Sequence, residues 1–378
     1  MFILEYALSL GVPCPGCPGN VQPRTLPQIN TLLHDLAVNQ HVGAFREIVP
    51  LELLSPNGTN DPTGVQMPLD SANYAVIDAI MYLFKSYNLR LVLAIGNPIP
   101  SWAAPWGHGY ACFLPPTSDS TSFNTLKNNI GWTIGNYLNH LKSKGYAKWM
   151  AGAPNSPKSG GLFIEGFNEW NGNASYQNCG DFTAASPQRA ATLESGIGWV
   201  ANFYGVTVNL AAPSVVFPRQ GLAGWYTAYY AAGGVGAANV HIYGNGLSSS
   251  TDPKAAILYA QTQLTQLISA LPAAYKTTVI WGETGYGEAG PLCDGVNALP
   301  SDKWAQYDVA AAQLVTGADP VITPAVQLLT VWRLDQLTNQ SACEGSFGIV
   351  SSDLTAYLPP AVSLFTYLGG SGVMGKAP

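Results

Sequence analysis

Charged side chains are scarce in this sequence. Asp, Glu, Lys and Arg make up only 10% of its 378 residues, whereas typical soluble proteins contain about 25%. The net charge is −6 and basic residues form no cluster, so nucleic acids and anionic membrane surfaces are poor partners. A surface covered mainly by uncharged polar residues suits a secreted protein, and we expect the chain to be secreted.

Long apolar segments are absent as well. A membrane-spanning helix needs about 18 or more consecutive apolar residues, and the sequence contains no such run. The apolar stretch at residues 2–8 is interrupted by Glu5 and is not preceded by basic residues. We therefore interpret it as the first strand of a chain already trimmed of its export signal, and not as a signal peptide.

The few cysteines do not form a metal-binding pattern. Cys14 and Cys17 make one CxxC pair among prolines, whereas redox CxxC pairs usually open a helix and a zinc set would need a second CxxC or a histidine pair. An even number of cysteines in loop-like segments indicates disulfides. A thiol-redox role is the alternative, and a thiol count on the folded protein separates the two. The cysteines are Cys14, Cys17, Cys112, Cys179, Cys293 and Cys343.

Short apolar segments alternate with helix-like segments along the whole chain. Two of the predicted helices, at 187–204 and 253–270, begin at the pairs Ser186-Pro187 and Asp252-Pro253. The predicted strands are 2–9, 42–48, 89–96, 161–170, 206–212, 238–243, 277–283 and 326–332. Eight such βα units in order predict an α/β fold, a single (β/α)8 barrel over residues 1–378 with its active site at the C-terminal ends of the strands. A doubly wound open sheet is the alternative, but the expected glycine-rich phosphate turn after the first strand is missing.

Two of the predicted strands end in a carboxylate. The stretch 161–170 is an apolar run that leads to Asn168, Glu169 and Trp170, and the stretch 278–285 carries Glu283 near its end. In a barrel the strand ends share one rim, where two carboxylates about 5–5.5 Å apart cleave a glycosidic bond with retention of configuration. Glu165 has the same strand parity as Glu169 but lies deeper, so we expect it in a polar network and not in catalysis.

Other strand ends are polar or aromatic in a way that fits sugar chemistry. Asn168 is expected to hydrogen-bond the sugar 2-hydroxyl, and Tyr243 and Arg46 to hold the nucleophilic carboxylate ionised. His241 and Tyr243 are two residues apart, so both side chains point to the same side of a strand. Flat apolar faces for sugar rings are expected from tryptophans. These are Trp102, Trp106, Trp170 and Trp332.

In the order and strand placement of these residues the chain resembles the clan A glycoside hydrolases. The resemblance implies a (β/α)8 fold, with the acid/base glutamate on strand four and the nucleophile on strand seven. Trp170 stands where many members have proline, and no individual family is assigned. The matching residues are Arg46 on strand two, Asn168 and Glu169 on strand four, His241 and Tyr243 on strand six, Glu283 on strand seven and Trp332 on strand eight.

These observations predict a secreted retaining β-glycoside hydrolase. We expect endo-action on cellulose or another β-glucan, on mannan or on xylan, with Glu169 as acid/base and Glu283 as nucleophile. No metal or organic cofactor is implied, and we expect a monomer. The alternatives are an exo-acting β-glycosidase on oligosaccharides and a non-catalytic carbohydrate-binding protein on the same barrel.

Overall fold

The structure is a computed structural model of the chain. It describes residues 2–3, 25–54, 71–96, 99–107, 113–152, 161–171, 183–216, 220–243, 252–285, 301–331, 356–357 and 359–374. All six cysteines and Trp332 lie outside these residues. The expected disulfides and the expected role of Trp332 therefore stay predictions.

Strands and helices alternate along the described residues. The strands are β1 (Phe2–Ile3), β2 (Ala44–Pro50), β3 (Arg90–Gly96), β4 (Leu162–Glu165), β5 (Asn209–Ala211), β6 (Val215–Val216), β7 (Ala238–His241), β8 (Val279–Thr284) and β9 (Val326–Val331). The helices are α1 (Leu26–His34), α2 (Leu51–Leu54), α3 (Ser71–Ser86), α4 (Ser120–Ser143), α5 (Ala147–Ala151), α6 (Pro187–Phe203), α7 (Gly221–Ala231), α8 (Pro253–Ala270), α9 (Ser301–Thr316) and α10 (Pro359–Tyr367).

Local sequence signals set where several helices begin. Ser186 caps α6 by accepting from the backbone N–H of Arg189, and Pro187 occupies the first turn, where its missing N–H costs nothing. Asp252 caps α8 in the same way, with Pro253 behind it. The helices predicted at 187–204 and 253–270 are confirmed, because a cap followed by proline is a strong start signal.

The described residues fall into two compact units, and the boundaries between them lie inside β2 and β7. The first unit holds the described residues up to Arg46 and from Val240 onward; the second holds those between Glu47 and Asn239. In the first unit, β1 pairs in parallel with β2 and β9, and β8 pairs in parallel with β9. In the second, β4 pairs in parallel with β3 and β5. The prediction of a single domain stays a prediction.

The fifth predicted strand, at 206–212, is shorter than expected, because only β5 falls within it. After the connector 212–214 the chain forms a second short strand, β6. Ala211 bridges Ala237 in parallel, just before β7 begins. With β5 and β6 counted as one interrupted strand, the described strands number eight, which is the element pattern of a (β/α)8 barrel.

Burial follows the pattern of parallel strands covered on both faces. Every residue of β3, β4 and β8 is buried, which explains why these strands are mainly apolar and do not alternate between apolar and polar residues. The outer helices pack closely: a Cβ on Gly135 of α4 would meet Val200 of α6 at 2.1 Å. In the described part of the chain, no helix combines the length and the apolar composition needed to cross a membrane.

Candidate active site

Glu283 lies near the end of β8, with both carboxylate oxygens engaged. Its side chain is 2% exposed, and Arg46 Nη1 lies 2.5 Å from Oε1. Oε2 accepts a hydrogen bond from the hydroxyl of Tyr243 and lies 3.3 Å from His241 Nδ1. A buried carboxylate is stable only when its charge is compensated, and this arrangement supplies one permanent positive charge and one hydroxyl donor.

The strands of the first unit determine this geometry. The backbone N–H of Ile242 donates to the carbonyl of Glu283 at 3.0 Å, which fixes the segment after β7 against β8. The indole N–H of Trp281 and the hydroxyl of Thr284 both donate to the carbonyl of Ile242. Because His241 and Tyr243 flank Ile242, both are held toward Glu283. Trp281 is fully buried and is a packing residue.

Glu169 belongs to the second unit and lies in a turn. The predicted strand at 161–170 ends at Glu165, so the expectation that Glu169 shares a strand with Glu165 is wrong. The turn is held by its backbone N–H groups: Asn168 donates to the carbonyl of Ile95 at 2.7 Å, and Glu169 donates to Ser214 Oγ at 2.8 Å. Asn168 and Glu169 are both half-buried.

The backbone of Glu169 is in the left-handed region, with φ at 47°. This conformation is uncommon for a residue with a side chain, costs about 1–3 kcal/mol and persists only where the surroundings hold it. The surroundings include Ser214, whose carbonyl also accepts from the backbone N–H of Trp170 at 2.8 Å. The turn is therefore held in a strained conformation by tertiary hydrogen bonds.

Two buried carboxyl groups lie beneath this turn. Glu165 accepts from the backbone N–H of Ser214 at 3.2 Å, which confirms its predicted place in a polar network. Glu194 of α6 accepts from the backbone N–H of Gly166 at 3.0 Å. Burial raises the pKa of Glu194 well above its ordinary value of 4.5; the Gly166 N–H opposes this shift, and the charge of Glu165 adds to it. Glu194 is thus favoured as a neutral acid.

The tryptophans differ in accessibility. Trp106 is half-buried, and its indole N–H donates to the carbonyl of Phe113 at 2.8 Å. Trp102 is only 8% exposed. The structure corrects the expectation for Trp170: its ring is fully buried and its indole N–H donates to the carbonyl of Ser186 at 3.1 Å. A fully enclosed ring has no face for a sugar, so Trp170 is a packing residue.

Sequence reasoning did not single out Ser214 or Glu194. A signal for Glu194 was present, because it lies on the apolar stripe of the helix predicted at 187–204, three residues before Ile197 and seven before Ala201. A carboxyl group on such a stripe indicates a buried polar contact. Ser214 follows Pro213 directly after a predicted strand, a position that indicates a turn without revealing what the hydroxyl contacts.

Sequence comparison finds no match for the chain: no family model matches it, and neither does any curated protein. Solved structures do match. A broad-specificity endoglucanase of glycoside hydrolase family 5 from Clostridium acetobutylicum has a TM-score of 0.58 at 14% identity, over 97% of this chain and 95% of its own. A family 5 lichenase from Caldicellulosiruptor sp. F32 has a TM-score of 0.60 at 10% identity, over 97% and 92%.

A third similar structure is a broad-specificity endoglucanase from Ruminococcus champanellensis with bound cellotriose. It has a TM-score of 0.58 at 13% identity, over 93% of this chain and 86% of its own. Likeness at such low identity shows the fold. The predicted (β/α)8 barrel is confirmed, as the fold that this chain shares with these family 5 structures.

Proposed function

We propose that this protein is a retaining, endo-acting β-glycoside hydrolase with Glu283 as nucleophile and Glu169 as acid/base. The observation that carries the proposal is the setting of Glu283, a buried carboxylate with an arginine on one oxygen and a tyrosine hydroxyl on the other. A carboxylate kept ionised in a dry environment is what covalent attack on an anomeric carbon requires.

The proposed reaction has two displacements. In the first, an oxygen of Glu283 bonds to the anomeric carbon while the bond to the leaving glycosidic oxygen breaks, and Glu169 gives its proton to that oxygen. In the second, Glu169 takes a proton from water, the water oxygen bonds to the anomeric carbon, and Glu283 leaves as a carboxylate. Two inversions leave the configuration unchanged.

A β-linked glucan is the proposed substrate class. The similar structures are described as a lichenase and as endoglucanases, one with bound cellotriose, which supports β-glucan ahead of mannan and xylan. Half-buried Trp106 and half-buried Asn168 suit a neutral sugar, the first by stacking and the second by hydrogen bonding. We also propose that the enzyme is secreted, monomeric and free of cofactors.

Reducing-sugar release from β-glucan, cellulose, mannan and xylan tests the proposal. Wild type is compared with Glu283→Gln and Glu169→Gln, and Asp78→Asn serves as a matched carboxylate-to-amide control, since Asp78 pairs with His140 on the outer helices. We expect release by wild type and the control, and its loss in both glutamine variants. Release that survives Glu283→Gln would refute the assigned nucleophile. Binding without release by wild type would favour a carbohydrate-binding protein.

A further inference from the structure

Ser214 connects β5 to β6 and makes three hydrogen bonds, two to the turn that carries Glu169 and one to Glu165 at the end of β4. Its backbone N–H donates to Glu165 Oε1 at 3.2 Å, and its carbonyl accepts from Trp170 N at 2.8 Å. Its side-chain oxygen accepts from Glu169 N at 2.8 Å. Ser214 is itself fully buried and Glu169 is half-buried, so the hydroxyl of Ser214 is shielded from solvent, where a hydrogen bond is electrostatically stronger than in water.

We propose that Ser214 is a positioning residue for Glu169. Its hydroxyl oxygen holds the backbone of Glu169 in the left-handed conformation from which the carboxyl group serves as acid/base. The inference rests on the proposed function, because it concerns the residue to which that function assigns proton transfer.

The hydrogen bond from Glu169 to Ser214 differs from those of its neighbours in the turn because its acceptor is a side chain. The neighbouring backbone N–H groups of the turn, those of Asn168 and Trp170, donate to backbone carbonyls, which survive any substitution. Glu169 is the residue with the positive φ, and its N–H donates to a side chain. Removing one hydroxyl therefore tests the restraint on Glu169 while leaving the backbone contacts of Ser214 in place.

The start of the turn is restrained separately. A Cβ on Gly166 would come to 2.4 Å from Glu194 Oε2 and 3.0 Å from Ile197 Cδ1, and the N–H of Gly166 donates to the same Glu194 oxygen. Glu194 restrains Gly166 independently of Ser214. Loss of the Ser214 hydroxyl is therefore expected to change the backbone conformation at Glu169 and to leave that of Gly166 unchanged.

The test compares kcat/KM of Ser214→Ala on two substrates that differ in whether their leaving group needs a proton. A 2,4-dinitrophenyl β-cellobioside needs no proton on its leaving oxygen, whereas β-glucan does. We expect kcat/KM on β-glucan to fall by about 10-fold or more while kcat/KM on the activated glycoside changes less than about 2-fold. Azide, a nucleophile that needs no general base, should raise kcat of the variant on the activated substrate. Ser214→Thr, which keeps the hydroxyl, should restore activity on β-glucan.

Ser195→Ala is the matched control, because its hydroxyl donates to the carbonyl of Gly233 on the outside of the second unit. Melting temperatures of all variants are measured first, and Ser214→Cys, which offers a weaker acceptor of similar size, replaces Ser214→Ala if the alanine variant does not fold. An equal loss on both substrates, or no loss on either, would overturn the inference.

Glu169→Gln separates this inference from the proposed function. If Glu169→Gln does not lose more kcat/KM on β-glucan than on the activated glycoside, the assignment of Glu169 has failed. If Glu169→Gln shows this larger loss on β-glucan and Ser214→Ala does not, only the role of Ser214 is refuted.

Discussion

Arg46 Nη1 and Glu283 Oε1 lie 2.5 Å apart, and both side chains are buried. The two residues come from β2 and β8, which are separated by most of the sequence. Charges removed from water cost several kcal/mol each, and the cost is recovered only while the partner is present. The nucleophile of the proposed mechanism therefore depends on Arg46 for its charge and for its position.

Replacing Arg46 alone should lower the free energy of unfolding more than replacing both Arg46 and Glu283. We expect Arg46→Met to destabilise the protein by about 3–5 kcal/mol, because Glu283 is left buried without its counter-charge. The double variant Arg46→Met with Glu283→Gln should recover much of that loss, since neither charge remains. Urea unfolding followed by fluorescence measures both. Equal stability of Arg46→Met and wild type would show that the ion pair is not the main compensation for Glu283.

The hydroxyl of Tyr243 should contribute to activity more than to stability. Tyr243→Phe keeps the ring and removes the donor to Glu283 Oε2. A hydrogen bond to a charged group contributes about 1.5–3 kcal/mol, so we expect kcat/KM on β-glucan to fall by about 10–100-fold. Tyr82→Phe, at a ring that is 58% exposed on α3, is the matched control. A Tyr243→Phe variant with wild-type kcat/KM would exclude this role.

Glu194 should make the protein less stable as the pH rises. Burial raises its pKa in the folded state above the ordinary value of 4.5, so the folded protein retains a proton that the unfolded chain has lost. The associated stability is complete below pH 4.5 and is lost as the pH rises toward the raised pKa. Glu194→Gln cannot lose a proton, so its melting temperature relative to wild type should increase with pH above 4.5.

Melting curves of both proteins from pH 4 to pH 8, about the range accessible to the assay, measure this difference. Asp319→Asn is a useful comparison. Hydrogen bonds from backbone N–H groups lower the pKa of Asp319 below its ordinary value of 3.8, so its contribution to stability is lost only at lower pH, and the difference between Asp319→Asn and wild type should stay nearly constant over this range. A constant difference between Glu194→Gln and wild type across the range would contradict the prediction for Glu194.

The order of strands and helices was predictable because its causes are local. A buried parallel strand reads as a short apolar run, and α6 and α8 begin at a cap followed by proline. Glu283 could be recognised in the same way, as a carboxylate at the end of such a run. The end of β4 could not, because the strand stops at Glu165, and the turn after it is held by partners elsewhere in the chain.

Burial of single side chains was predicted less well. Trp170 follows a predicted site residue, which favoured sugar binding, yet it is enclosed and hydrogen-bonded to the carbonyl of Ser186. A large aromatic beside a strand end serves equally well as packing or as a sugar platform. Sequence spacing does not distinguish the two, since the difference lies in which distant segment covers the ring.

The sequence alone determined the fold class and the residue types available for chemistry, because both depend on periodicity and on composition over a few neighbouring positions. Only the tertiary structure decided the contacts that give those residues their properties. Arg46 meets Glu283, and Ser214 meets Glu169, through pairings between segments that are distant in the chain. Such pairings depend on strand register and on the packing of helices against the strands, where a shift of one residue would turn each side chain to the other face.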